Sequence, residues 1–206
     1  MLYFHGFASS PGSQKVESLR TLLLPHDIIL HAPDLNLPSF ASLDFDAIVA
    51  RGGDDARTHP PRAIVGSSLG ALVALAVSRT APDVPLVLIA PAIGVSERWL
   101  ERLPAGDPIL VHHHAHNTSL PVHRRFFERM TEVDVDRKPP PARVTVVMGR
   151  LDESVPFERV ASVWQRWSES GTLVEGSAFV EIPDGDHGLI AHVEAIAREI
   201  LSAVGE

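Results

Sequence analysis

Short apolar runs rich in β-branched and aromatic residues alternate with segments of helical period through most of the chain. This alternation restricts the fold more than any other feature. "LYF" (Leu2–Phe4) is followed by "SQKVESLRTLLL" (Ser13–Leu24), where Val16, Leu19 and Leu23 recur at helical spacing between a Ser13 N-cap and Pro25. "DIILHAP" (Asp27–Pro33) reads as a buried strand, and "SFASLDFDAIVARGG" (Ser39–Gly53) as a helix stopped by glycine. Arg62–Gly66 is a strand, Leu69–Arg79 a helix, and "VPLVLIAP" (Val84–Pro91) and "RVTVVMGR" (Arg143–Arg150) are strands. "PFERVASVWQRWSES" (Pro156–Ser170) is a helix with proline in its first turn, "SAFVEIP" (Ser177–Pro183) a strand, and Leu189–Val204 the last helix. Near-continuous apolar strands separated by amphipathic helices predict an α/β fold: a mostly parallel six-stranded sheet with helices on both faces.

One stretch breaks the pattern. From about 94 to 141 there is no clear strand, and proline, histidine and charge are frequent. That is too long for a plain loop inside a domain. "SERWLERL" (Ser96–Leu103) and "VHRRFFERMTEV" (Val122–Val133) read as helical, so the segment is expected to be a small helical cap insertion over the carboxyl edge of the sheet. The 206 residues then suit a single domain over 1–206.

Charge and composition exclude several classes. Lys and Arg number 18 against 26 Asp and Glu, a net charge of −8 without a long basic run, which argues against nucleic acid or an anionic membrane as the main partner. There is no cysteine, so thiolate catalysis, disulfides and cysteine-bound metal are excluded. "MLYFHGF" lacks a basic, apolar leader pattern, and no apolar run approaches the ~20 residues of a membrane span. The expectation is a soluble cytoplasmic protein. The oligomeric state is not readable.

In such sheets ligands bind outside the carboxyl ends of the strands. The residues found there include His5-Gly6-Phe7, Asp34, Ser67-Ser68, Asp152 and His187. Gly66-x-Ser68-x-Gly70 has the spacing of a nucleophile elbow, in which a sharp strand-to-helix turn needs small residues two positions either side of the serine. Ser67, with Val65 and Leu69 at those positions, would crowd the turn, so Ser68 is the candidate nucleophile. His187 in "DGDHGL" is the candidate base and Asp152 in "GRLDESVP" the candidate acid that fixes its tautomer. Glu153 is the nearest rival for the acid, whereas Asp184 and Asp186 are expected to serve the histidine loop. The order Ser68, Asp152, His187 is that of α/β-hydrolases. Oxyanion donors are expected from the N–H of Leu69, after the nucleophile, and of Phe7, in a turn that His5 and Gly6 support.

With "LYFHGFASSPGSQK", "VGSSLGA", "GRLDESVP" and "DGDHGL", the chain resembles the α/β-hydrolase superfamily, and more narrowly the small bacterial esterases of the YqiA type. The resemblance implies hydrolysis of small acyl esters without a cofactor. The elbow glycine pattern common in that group continues as Ala71 here.

Other features have less direct readings. His112, His113, His114, His116 and His123 suggest a metal site, but no Asp, Glu or Cys stands among them, and a polar cap loop is the expected reading, with no metal. Trp99, Phe126 and Phe127 are acyl-pocket or cap-packing candidates. Lys15 reads as a solvated first-turn residue, with an anionic substrate group as its functional alternative, and Ser13 as orienting the first helix. Asp34 reads as a turn residue, and the Ser67 hydroxyl as paired with backbone. The expected activity is a Ser-His-Asp hydrolase of carboxylic (thio)esters acting through an acyl-enzyme. The sequence leaves open amide or C–C hydrolysis by the same triad, and a non-catalytic binding module that keeps the elbow as a turn.

Overall fold

β1 (Leu2–Phe4), β2 (Ile64–Ser67) and β3 (Leu86–Ile89) begin a parallel sheet, and β6 (Val144–Gly149) and β7 (Ala178–Ile182) complete it in the order β1-β2-β3-β6-β7. Between β3 and β6 in the chain, β4 (Ile109–His113) and β5 (Thr118–Val122) form a separate antiparallel hairpin. These features come from a computed structural model that describes residues 1–94, 100 and 103–206. The central strands β2, β3 and β6 are buried at every position, as their near-continuous Ile, Val and Leu content requires of strands covered on both faces. The register sets Gly66 beside Phe4 on one side and Leu88 on the other, so the serine turn leaves the middle of the sheet.

The helices form two groups. α2 (Phe45–Thr58) and α3 (Leu69–Ser78) pack on each other and on β1 and β2. α1 (Gln14–Leu23) packs on the last helix, which lies on β3 and β6. That last helix is α6 (Val193–Val204); α4 (Arg125–Met130) and α5 (Phe157–Glu169) precede it. α3 is apolar almost all round and buried, whereas α5 buries Phe157, Val160, Val163 and Trp167 along one stripe.

Three sequence expectations need correction. Among the described residues the sheet has five strands rather than six. Asp27–Pro33 alternates buried and exposed residues, with Ile29 79% exposed, and meets β1 at a single bridge, Leu2 to His31. β1 offers three residues to pair with, and Pro33 has no N–H to extend a ladder. α2 does not stop at its glycines: it starts behind Asp44, whose carboxylate accepts from the Ala47 N–H at 2.9 Å, and runs on to Thr58. Gly52 lies inside it because the helix passes over Phe4, where an added Cβ would stand 2.8 Å from the ring. The insertion is also not simply helical. Among the described residues it holds the β4–β5 hairpin and the short α4, and the expected helix Ser96–Leu103 falls largely outside them. The hairpin turns through His114–Asn117, with Asn117 in the left-handed region at φ 48.

Candidate active site

β2 ends at Ser67 and α3 begins at Leu69, so Ser68 alone makes the turn. Its backbone sits at φ 54, ψ −119, a conformation that costs a non-glycine residue on the order of 1–3 kcal/mol. Neighbouring backbone holds it there. The Ser68 N–H donates to the Ile89 carbonyl at 2.9 Å, and its carbonyl accepts from Ala71 and Ala92 at 3.0 and 3.2 Å. The flanking glycines have a steric reason: a Cβ on Gly66 would overlap the Gly70 carbonyl, and one on Gly70 would overlap that of Phe4.

The structure brings Ser68, His187 and Asp152 together. The Ser68 Oγ lies 3.1 Å from His187 Nε2, and His187 Nδ1 lies 2.7 Å from Asp152 Oδ2. The Asp152 side chain is fully buried. Its other oxygen accepts from the Ser154 and Val155 N–H groups at 2.9 and 2.7 Å. With both oxygens so occupied the carboxylate has one orientation, and the ring nitrogen facing it is the donor. Glu153 is exposed, and Asp186 instead accepts from the Leu189 N–H at 2.7 Å, serving the loop as expected.

Across from the histidine lies the turn after β1. The Cβ position of Gly6 falls 3.3 Å from that of Ser68. Phe7 anchors the turn by stacking on Phe40 and Phe126 and meeting Phe127 edge-on, with ring centroids 5.5–5.9 Å apart. His5 is buried, and its roles are fixed by its neighbours. The Leu35 N–H donates to Nε2 at 3.1 Å, so Nδ1 carries the proton and donates to the Gly6 carbonyl at 2.9 Å. Burial holds its pKa below the ordinary histidine value, despite that bond and the nearby Asp34. Among the described residues neither the Phe7 nor the Leu69 N–H has a hydrogen-bond acceptor.

Two lobes of open space meet at Ser68 and His187. One, of about 310 Å³, is walled by Phe7, Leu103, Phe127 and Val155. The other, of about 470 Å³, is lined mostly by polar residues and reaches Lys15, Ser13 and Ser67. Phe127 thus lines the cavity, while Phe126 packs in the core and Trp99 lies outside the described residues. Sequence reasoning missed Leu103 and Val155 as walls, since neither stands in a motif. It also placed Lys15 in solvent. Lys15 is buried, and its Nζ donates to Ser67 Oγ at 3.0 Å. Ser67 is therefore paired with a side chain, that of Lys15, rather than with backbone.

The histidine tract falls mostly on the hairpin. His114 reaches the cavity wall, and His113 is buried against Phe40 and His116 with its Nδ1 unpartnered. Among the described residues no cluster of His, Asp or Glu is arranged to hold a metal, and no helix is long and apolar enough to cross a membrane.

The model of one family, described as "Uncharacterised protein family (UPF0227)", matches residues 1–190. Among solved structures the chain is similar to the mouse alpha/beta hydrolase domain-containing protein 10, with a TM-score of 0.76 at 18% identity over 98% of this chain and 88% of that one. It is similar to Est1E from Butyrivibrio proteoclasticus with ferulic acid bound, with a TM-score of 0.75 at 15% identity, covering 100% and 89%. The monoacylglycerol lipase of Paleococcus ferrophilus gives a TM-score of 0.74 at 15% identity, covering 98% and 93%. No curated protein matches the chain. At these identities the structural likeness establishes the α/β-hydrolase fold.

Proposed function

The chain belongs to the UPF0227 family and has the α/β-hydrolase fold, and on that premise we propose that it is a serine hydrolase of carboxylic esters and thioesters with small acyl groups. The observation that carries this reading is the unbroken chain from Ser68 Oγ to His187 to the buried Asp152, at 3.1 and 2.7 Å, opening onto an apolar lobe. His187 Nε2 takes the hydroxyl proton as Ser68 Oγ attacks the acyl carbonyl. Asp152 keeps the imidazole in the required tautomer and favours the imidazolium that forms. The N–H groups of Leu69 and Phe7 receive the negative charge on the tetrahedral intermediate. The imidazolium then protonates the departing alcohol or thiol, leaving the acyl group on Ser68. Water deprotonated by His187 repeats the sequence and releases the acid. The strain at Ser68 supports this reading, because a turn kept only for folding has no need to hold a serine in so costly a conformation.

The test is covalent labelling by a fluorophosphonate probe together with turnover of p-nitrophenyl butyrate. Wild type is expected to show both. Ser68→Ala should show no labelling and lose at least about 10³-fold in kcat. Full turnover by Ser68→Ala, or labelling that persists in it, overturns the assignment.

A further inference from the structure

The polar lobe beside the nucleophile contains a cation that forms no ion pair among the described residues. The chain builds nearly all its positive charge from arginine, and Lys15 and Lys138 are its two lysines. Lys15 is only 8% exposed, although it stands in the first turn of α1. Its ammonium has three donors, and Ser67 Oγ accepts one. The nearby carboxylates are engaged elsewhere: Asp152 with His187 and two N–H groups, Asp186 with the Leu189 N–H. Both act on Lys15 through space, without forming an ion pair. α1 also turns its positive end toward this lobe, and its N-cap Ser13 makes no side-chain cap. A lysine beside a helix N-terminus, buried and unpaired, is poorly placed for stability. It is well placed for an anion that enters from the cavity.

We propose that Lys15 is a specificity-determining residue whose ammonium binds a carboxylate carried by the ester substrate, while the hydrocarbon part of that substrate occupies the lobe walled by Phe7, Phe127 and Val155. This inference rests on the serine hydrolase reading and deepens it. A monoanion fits better than a phosphate monoester dianion. Among the residues lining the polar lobe Lys15 is the single lysine or arginine, and Glu153 stands at the same lobe. Tyr3, His5, His114 and His187 are the other titratable groups that line it, and Asp186 and Asp152 act on Lys15 through space.

Three esters test the proposal: neutral p-nitrophenyl butyrate, mono-p-nitrophenyl glutarate with its carboxylate on the acyl side, and 4-butyryloxybenzoate with its carboxylate on the leaving group. Each is compared between wild type and Lys15→Met, so that intrinsic reactivity cancels. One of the two carboxylate esters is expected to lose at least about tenfold in kcat/KM, chiefly through KM, while p-nitrophenyl butyrate stays within about threefold. The melting temperature of Lys15→Met should equal or exceed that of wild type, as it would not if Lys15 served structure. Equal losses on all three esters, or none on either carboxylate ester, overturn the inference. Wild type supplies a readout that needs no variant. Burial, outweighing the pull of Asp186 and Asp152, lowers the Lys15 pKa from 10.5 to about 8. The ratio of carboxylate to neutral ester turnover should therefore fall as pH rises through about 8, and a flat ratio overturns the inference. If p-nitrophenyl butyrate itself is not turned over and the probe does not label Ser68, the hydrolase reading fails. Turnover of the neutral ester without carboxylate preference sinks the Lys15 inference alone.

Discussion

Asp152 uses both carboxylate oxygens inside the protein, and the two have different tasks. Oδ1 takes the Ser154 and Val155 N–H groups, which an amide oxygen could also take. Oδ2 faces His187 Nδ1, where an amide would present a donor to a donor. Asp152→Asn should therefore fold normally, yet hold His187 in the wrong tautomer and lower kcat by about 10³–10⁴-fold. Activity within tenfold of wild type, measured on a variant with an unchanged melting temperature, would remove Asp152 from the triad. The convergence of Ser68, Asp152 and His187 was legible because local sequence marks each one: a serine between spaced glycines, then an acid and a histidine just after strands. Lys15 was not legible in the same way. A lysine in the first turn of an amphipathic helix is ordinarily solvated, and Lys15 is buried because α1, packed on α6, brings it to Ser67 at the end of β2. Nothing within a few residues of Lys15 records that Ser67 will stand 3.0 Å away.

At the scale of elements, the elbow shows how a strand and a helix share one turn. Gly70 is the tighter of its two glycines, because a side chain there meets the Phe4 and His5 carbonyls, which are backbone and cannot rotate aside. Gly70→Ala should destabilise the protein by at least about 1–3 kcal/mol, the usual cost of overpacking. Gly12→Ala is the matched control: a Cβ there meets nothing within 4 Å, and its cost should stay under about 0.5 kcal/mol. Chemical denaturation of the two variants checks both values, and equal midpoints would mean that the turn relaxes freely. The same scale explains where sequence reading stopped. Strands β2, β3 and β6 declare themselves by continuous apolar runs, whereas the β4–β5 hairpin is half-exposed, carries Pro121 and ends β4 on His112 and His113. Its pairing is decided by docking, through the His114 N–H to Ala8 and the His123 N–H to Ala41, both far away in sequence. Asp27–Pro33 erred in the opposite direction, since its apolar content promised a strand that the short β1 cannot pair.

For the whole molecule, topology was the most legible property. A parallel sheet brings the ends of β1, β2, β6 and β7 to one edge, and the candidate residues lie directly after them. The price of that arrangement is a set of titratable groups buried around the site, and they dictate how stability depends on pH. Burial holds His5 and His113 below their ordinary value of 6.5, and for His113 the neighbouring His116, His5 and His114 add to the effect. Both are neutral in the folded and unfolded chain above that pH. Below it the unfolded chain takes up protons first, so stability falls as the solution is acidified. Lys15 follows the same rule at higher pH. Below about 8 it is charged in both states and the fold bears the cost of burial; as pH rises from about 8 towards 10.5 the folded chain releases its proton first and stability recovers. Tyr3, whose pKa burial raises above 10, reverses the trend beyond that point, because only the unfolded phenol then ionises. The melting temperature should therefore drop from pH 7 to pH 5, rise from about 8 towards 10, and fall again above 10. His113→Phe keeps the packing against Phe40 and removes the unpartnered Nδ1, so it should raise the melting temperature at pH 7 and shrink the acid-side drop. Lys15→Met should flatten the alkaline rise and leave the acid side unchanged. Scanning calorimetry of the three proteins across this range measures each limb separately. An acid-side drop as large in His113→Phe as in wild type would show that His113 is not among its sources.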